Sequence, residues 1–288
     1  VSYVVIDKGI APLENKQTLS EKEYRELFKN YKNVVFVGYK DNPYNYVKNR
    51  IKDEEKYYIL LDEIQLVDDF VSVLNGFLHI SNVDVYVTGS NSRFLSSDII
   101  TEFRGRGDEI RIYPFSFAEI SNISDFDKEK LWTLYCRYGG MPLVWNMDFD
   151  DERESYLKNL FEQVYLSDII NRYKLKGHDE IGVLTNVLAS SIGSLTNPQR
   201  LANTFQSSSN LKLSQFTISS YIDYLIDSFL IERVHRFDVK GRKYIGTPMK
   251  YYFVDVGLRN ARLNFRQQEE NHIMENIIYK YVITMGLL

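Results

Sequence analysis

Apolar and polar positions along the chain change their period near Pro114. Before it, short runs rich in β-branched and aromatic residues recur at 1–7, 33–38, 57–61, 83–88 and 110–113, and each reads as a strand. Between them the pattern turns helical. Residues 20–31 open on Ser20 with Glu23 three positions on, the pattern of a capping box. A short helix is expected at 45–51. Residues 66–80 carry Phe70, Val73, Leu74 and Phe77 at helical spacing. Strands alternating with helical crossovers predict an α/β fold with a parallel sheet and helices on its faces.

After Pro114 the helical period dominates, at 117–170 and again at 180–192. Asn197, Pro198 and Gln199 form a cap and first turn for a helix through Phe205. Residues 216–230 place Ile218, Tyr221, Ile222 and Leu225 on one stripe. Two strand-like runs follow, 231–237 and 251–254, joined through a turn at Gly241. Helices followed by a two-stranded wing predict a winged-helix unit over 195–254. A last helix is expected at 269–286. The chain has no internal repeat and no low-complexity tract.

Composition narrows the classes. The 288 residues carry 44% hydrophobic positions and a formal net charge of −4, which suits a globular protein and not a nucleic-acid coat. No run approaches the roughly 18 apolar residues of a membrane span, and the first residues lack the parts of a signal peptide. The single cysteine, Cys136, has no internal partner, which fits a reducing, cytoplasmic setting. It lies among Leu134, Tyr135 and Tyr138 and reads as a packed, inert thiol.

The candidate chemistry begins at Tyr57-Tyr58-Ile59-Leu60-Leu61-Asp62-Glu63, where two carboxylates follow a buried strand. Parallel sheets bind ligands outside the carboxyl ends of their strands. There Asp62 can hold Mg²⁺ through its waters, and Glu63 can orient or deprotonate an attacking water. The next strand ends in Thr88-Gly89-Ser90-Asn91, whose side chains offer hydrogen bonds to a phosphate or a water.

With these residues in view, ILLDEIQLVDDFVSVLNGFLH and VYVTGSNSRFLSSDIITEFRGRGDEIRIYPFSFAE resemble the core of a prokaryotic family of AAA-type ATPases. The later YGGMPLV, VYLSDII and KYYFVDVGLRNARLNFRQQEENHIMENIIY are similar to the region that accompanies that core. The resemblance implies a P-loop NTPase-like sheet over 1–120, a helical lid over 121–194, the winged helix over 195–254, and the start of a nuclease-like domain over 255–288. It implies ATP and Mg²⁺ as ligands. Asp62 and Glu63 become the Walker B pair, with Asp62 organising the metal and Glu63 polarising water. Asn91, with Ser90, becomes the sensor of the γ-phosphate. In the loop Arg104-Gly105-Arg106-Gly107, either arginine can act as a finger on a neighbouring subunit's nucleotide, so an oligomer belongs to the expectation.

One departure from that family is plain. Its members open with a glycine-rich loop ending in Gly-Lys-Ser or Gly-Lys-Thr. The segment from Gly9 to Thr18 contains Lys16, but no glycine precedes it and Gln17 intervenes. The strand at 1–7 resembles the family's second strand, so the loop is expected ahead of residue 1 in a truncated chain, the alternative being a member that has lost it. ATP binding by this chain alone is expected to be impaired.

A different class of function comes from the wing. Between Leu211 and Lys250 seven Lys or Arg face four Asp or Glu, with His235, Arg236, Lys240, Arg242 and Lys243 close together. Such a cluster can meet DNA phosphates, or it can be the charged rim of a protein-contact module. In the last helix, His272, Glu275 and Asn276 stand where the resemblance sets a nuclease-type glutamate, without the second carboxylate motif such metal sites need.

Overall fold

The computed structural model describes residues 2–6, 33–37, 43–61, 64, 67, 69–88, 103, 106–108, 110–175, 178–208, 213–235, 248–266 and 269–286, with backbone alone for the first two segments. The helix expected at 20–31 lies outside them. The chain divides into two compact units, Val1–Gly107 and Asp108–Leu288.

In the first unit, β1 (Ser2–Ile6), β2 (Asn33–Val37), β3 (Tyr57–Leu61) and β4 (Val83–Val87) form one sheet in the order β2-β1-β3-β4. Every pairing is parallel. Helix α1 (Pro43–Lys48) precedes β3, and α2 (Phe70–Leu78) joins β3 to β4. Both connections cross the sheet in the same sense, so right-handed crossovers put both helices on one face. There Val47, Val73, Leu74 and Phe77 pack on Ile59 and Leu61, with Ile64 closing the cluster. Gly76 lets the helices meet, because a Cβ there would lie 2.7 Å from the Tyr44 ring. The strand period is visible in β3, where Tyr57, Ile59 and Leu61 are buried. On the opposite face Leu60 is 37% exposed and Tyr86 of β4 is 50% exposed. All-parallel sheets are ordinarily covered on both faces; here the described residues leave the second face of β3 and β4 partly open.

The second unit opens with α3 (Phe117–Ile123), started by a capping box in which Ser116 and Glu119 exchange hydrogen bonds. Asp127 caps α4 (Lys128–Tyr138), which stops at the pair Gly139-Gly140. After a 3₁₀ turn at Pro142–Asn146, α5 (Asp150–Asn159) runs through a π-helical turn, Leu160–Leu166, into α6 (Ser167–Tyr173). Then come α7 (His178–Ser190), α8 (Pro198–Ser208) and α9 (Gln215–Asp227). Asn197 accepts from the Arg200 N–H at 2.8 Å and Ser214 from the Thr217 N–H at 3.0 Å, which starts α8 and α9 where the cap residues stand. Strand β5 (Ile231–Val234) pairs antiparallel with β6 (Lys250–Phe253), and Thr196 bridges to Met249 beyond β6. The chain closes with α10 (Val256–Arg262) and α11 (Glu270–Thr284). Among the described residues no helix is long and apolar enough to cross a membrane.

Two expectations need correction. The helical stretch at 117–170 is four pieces, divided at 124–127, at the two glycines and at Met147 to Phe149, and Asp127 and Pro142 each start a new turn. Residues 110–113 form no strand. Ile110 and Ile112 are 78% and 90% exposed, while Arg111 turns back to Glu232 at 3.4 Å and lies over the Phe229 ring. The alternation is that of a strand, but among the described residues no strand lies alongside to take its backbone hydrogen bonds.

Candidate functional site

Strands β3 and β4 end side by side, with Leu61 opposite Val87. Just past those ends, the Thr88 N–H donates to the Leu61 carbonyl at 2.8 Å, and the Ile64 N–H donates to the Thr88 carbonyl at 3.3 Å. Ile64 is also fully buried in the core. The chain is thus fastened to the end of β4 on both sides of a two-residue step, and the two residues of that step in sequence are Asp62 and Glu63. The far ends of the strands are locked too. The Tyr57 N–H donates to Asn82, whose side-chain amide donates to the carbonyls of Asp53 and Glu55.

Asp62, Glu63, Ser90, Asn91 and Arg104 themselves lie outside the described residues. Arg106 is described. Its backbone N–H donates to Phe103 at 2.8 Å, and its guanidinium donates to the Asn75 side chain on α2 at 3.4 Å. The arginine is exposed and loosely held against α2.

In the second unit the sequence motifs that resemble the family's accompanying region are occupied with structure. Asp255 is buried and caps α10, accepting from the Leu258 N–H at 3.0 Å and from the Gly140 N–H at 2.6 Å. Burial pushes its carboxyl up to about 6, against the opposing pull of the Gly140, Leu258 and Gly257 N–H groups. The glycines around it have no room for a side chain. A Cβ on Gly140 would lie 1.9 Å from the Phe115 carbonyl, and one on Gly257 would lie 2.0 Å from that of Tyr138. Asn260 donates to the carbonyls of Cys136 and Arg137 at 2.8 and 2.9 Å, satisfying the last turn of α4. Fully buried Arg259 donates to the Ala189 carbonyl at 2.8 Å and to Asn260 at 3.0 Å, tying α10 to α7. Sequence reasoning missed this cluster. Its signal was Arg259 and Asn260 on a short helix behind the capping Asp255. Burial also raises the Cys136 thiol to about 11.

The terminal helix is similarly committed. Asn276 accepts from the Phe253 N–H at 2.8 Å and donates to its carbonyl at 2.9 Å, so a side-chain amide pairs with the free edge of β6 like one rung of a further strand. Glu275 takes hydrogen bonds from Lys250 and Tyr252. His272 lies 3.5 Å from Glu269.

Of the cations expected on a wing, Arg236, Lys240, Arg242 and Lys243 lie outside the described residues, as does the turn expected at Gly241. Two others counted in that stretch are paired internally, Arg233 with Asp223 at 2.9 Å and Lys250 with Glu275.

Comparison with known proteins agrees with the two-part division of character. A family model described as an AAA domain matches residues 15–121, and a domain of unknown function matches residues 129–269. An uncharacterized protein of Haemophilus influenzae is 31% identical over 270 residues, covering 88% of this chain and 67% of the relative. Two uncharacterized proteins of Methanocaldococcus jannaschii are 28% and 24% identical over 236 and 241 residues. They cover 77% and 72% of this chain, which spans 52% and 48% of their lengths.

Proposed function

The chain belongs to the family of the Haemophilus influenzae relative, and from the AAA-domain match over residues 15–121 we propose that its first unit is the hydrolytic half of a Mg²⁺-dependent ATPase site. The observation that supports this reading most is the fastening of the chain at Leu61 and Ile64 to the end of β4. It suits a site that must hold two carboxylates steady where a parallel sheet meets its ligand. In this reading Asp62 holds the metal through its waters. Glu63 orients the attacking water and takes its proton. Ser90 and Asn91 hydrogen-bond to the γ-phosphate or to that water. Arg104 or Arg106 brings positive charge to a neighbouring subunit's nucleotide. Bound Mg·ATP supplies the electrophilic phosphorus and the ion that screens its oxygens.

The phosphates need a cradle of backbone N–H groups, and the carboxylates do not supply one. The outer edge of β4, unpaired among the described residues, and the open face bearing Leu60 and Tyr86 suit a further strand–loop–helix unit. A strand beside β4 joined to β1 by a right-handed crossover would run opposite in sense to the α1 and α2 connections. Its helix would therefore cover the open face. The 288-residue chain alone is expected to bind Mg·ATP with a Kd above about 1 mM. Calorimetry that finds micromolar binding would show that no such unit is needed.

A second reading is supported by the order α7, Thr196 bridge, α8, α9, β5, β6, which suits a winged helix over 195–254. Lys240, Arg242 and Lys243 would then meet phosphate backbones. Replacing all three with Ala is expected to weaken duplex DNA binding for every sequence and to flatten its salt dependence. Fluorescence anisotropy at two salt concentrations tests this. Undetectable binding at low salt leaves the module as a protein-docking surface.

A further inference from the structure

The second unit contains a cavity of about 360 Å³ between the start of α3 and α11. Phe115, Phe117, Trp132, Tyr135, Ile277 and Ile278 give it apolar, largely aromatic walls. Phe117 meets Trp132 edge-on at 5.1 Å between ring centres and Tyr135 at 5.6 Å, so these rings hold one another in place. The polar side chains along the cavity are spent on the protein itself. Ser116 caps α3, Asn276 pairs with Phe253, and the Tyr135 hydroxyl donates to the Phe115 carbonyl at 2.8 Å. Thr284 donates to the carbonyls of Lys280 and Tyr281. Asp255 accepts from the Gly140 and Leu258 N–H groups. Lys280 donates to Glu232 at 2.9 Å and lies 4.1 Å from the centre of the Tyr113 ring. The buried Glu232 oxygen that has no hydrogen-bond partner belongs to a residue that does not line the cavity. Among the described residues, Arg111 and Lys280 are set against Glu232 and Asp255, so the charges balance and neither sign is left to attract an ion. A water in this space finds few of the polar partners it needs. Apolar atoms in its place gain dispersion contacts with the rings and displace only poorly bonded water. An apolar cavity of roughly 150 Å³ holds one benzene ring, so a space of about 360 Å³ has room for two fused rings.

We infer that this cavity binds an uncharged, apolar small molecule the size of a fused pair of aromatic rings, lying against Phe117, Trp132 and Ile278. The site is independent of the nucleotide reading, since it lies wholly within the second unit. A charged head would have to leave water with no free partner on these walls, whereas a hydroxyl loses far less. Probes that share one body and differ in the head test this: 2-naphthylmethanol, 2-naphthoate and 2-naphthylmethylamine, each measured with the whole chain by equilibrium dialysis near neutral pH. The alcohol is expected to bind saturably, and about tenfold or more tightly than either ion. An ion that binds as tightly as the alcohol, or an alcohol that shows no saturable binding, overturns the proposal without requiring a variant. Ile278 is half exposed, so Ile278→Glu sets a charge on the wall at a position the core does not depend on. With folding confirmed by far-ultraviolet circular dichroism, this variant is expected to bind the alcohol about tenfold more weakly. Unchanged affinity would place the ligand elsewhere and contradict the assignment.

Discussion

In the first unit the polar residues with motif-like spacing follow β3 and β4 in sequence, and the described buried core there is apolar. In the second, Asp255, Arg259, Asn260 and Asn276 are buried, and each makes hydrogen bonds that join one element to another. Read as letters, only the first set and Asn276 looked like sites. The difference is where the backbone puts them. A polar group at a strand end faces the space where ligands bind, whereas one behind an N-cap inside a helical unit is consumed in satisfying backbone groups. The contrast predicts that substitutions in the second set damage folding first, and those in the first set damage chemistry first.

The largest effect is expected at Gly140. A methyl group there meets the Phe115 carbonyl, which accepts from the Tyr135 hydroxyl, while the Phe115 N–H donates to the Gly140 carbonyl, so Gly140→Ala should cost about 4 kcal/mol or more. Gly107→Ala, with nothing within 4 Å of its Cβ, should stay within about 0.5 kcal/mol. Denaturant unfolding of the two variants checks the pair, and a Gly140→Ala protein as stable as the parent would break the comparison. Next, Arg259→Met removes the buried link to the Ala189 carbonyl and should cost about 3 kcal/mol by the same measurement. Asn276→Ala leaves both backbone groups of Phe253 without their partner, and a loss of about 2 kcal/mol is expected, with faster amide exchange at Phe253.

The smallest effect is set by pH. Asp255 titrates at about 6 in the folded unit and near 3.9 when unfolded, so folding strengthens its hold on the proton. Its contribution to stability is complete below about pH 4 and is lost as pH rises through 6. Between pH 7.5 and pH 5, about 1 kcal/mol should therefore be regained. Asp255→Asn should lack that increment. Parallel pH profiles for parent and variant would contradict the buried-carboxylate account.

Much of the architecture was legible because it rests on local signals. The β-branched runs at 57–61 and 83–87 became β3 and β4, and Ser214 and Asn197 started their helices as caps do. The stripe Ile218, Tyr221, Ile222 and Leu225 is the buried side of α9. What escaped depends on distant partners. Residues 110–113 have strand alternation, but a strand exists only if another lies alongside, and Arg111 instead answers Glu232, 121 positions further on. The pairing of Gly140 with Asp255 across 115 residues is equally invisible to a local period. Among the expected site residues, Arg106 is placed against Asn75, whereas the roles of Asp62, Glu63 and Asn91 rest on the sequence and on the anchored chain around them.

The central claim is that Glu63 activates water while Asp62 keeps the metal. It is tested most directly by ATP hydrolysis in a protein that carries a strand, a Gly-Lys-Thr loop and a helix fused ahead of Val1, assayed as parent and as Glu63→Gln. The account predicts Mg²⁺-dependent turnover in the parent, and a loss of about a hundredfold or more in kcat in the variant. Mg·ATP affinity should change less than about threefold, because the metal contact survives. Hydrolysis that persists in Glu63→Gln at the parent's rate, with binding intact, would contradict the assignment of this strand end as the catalytic site.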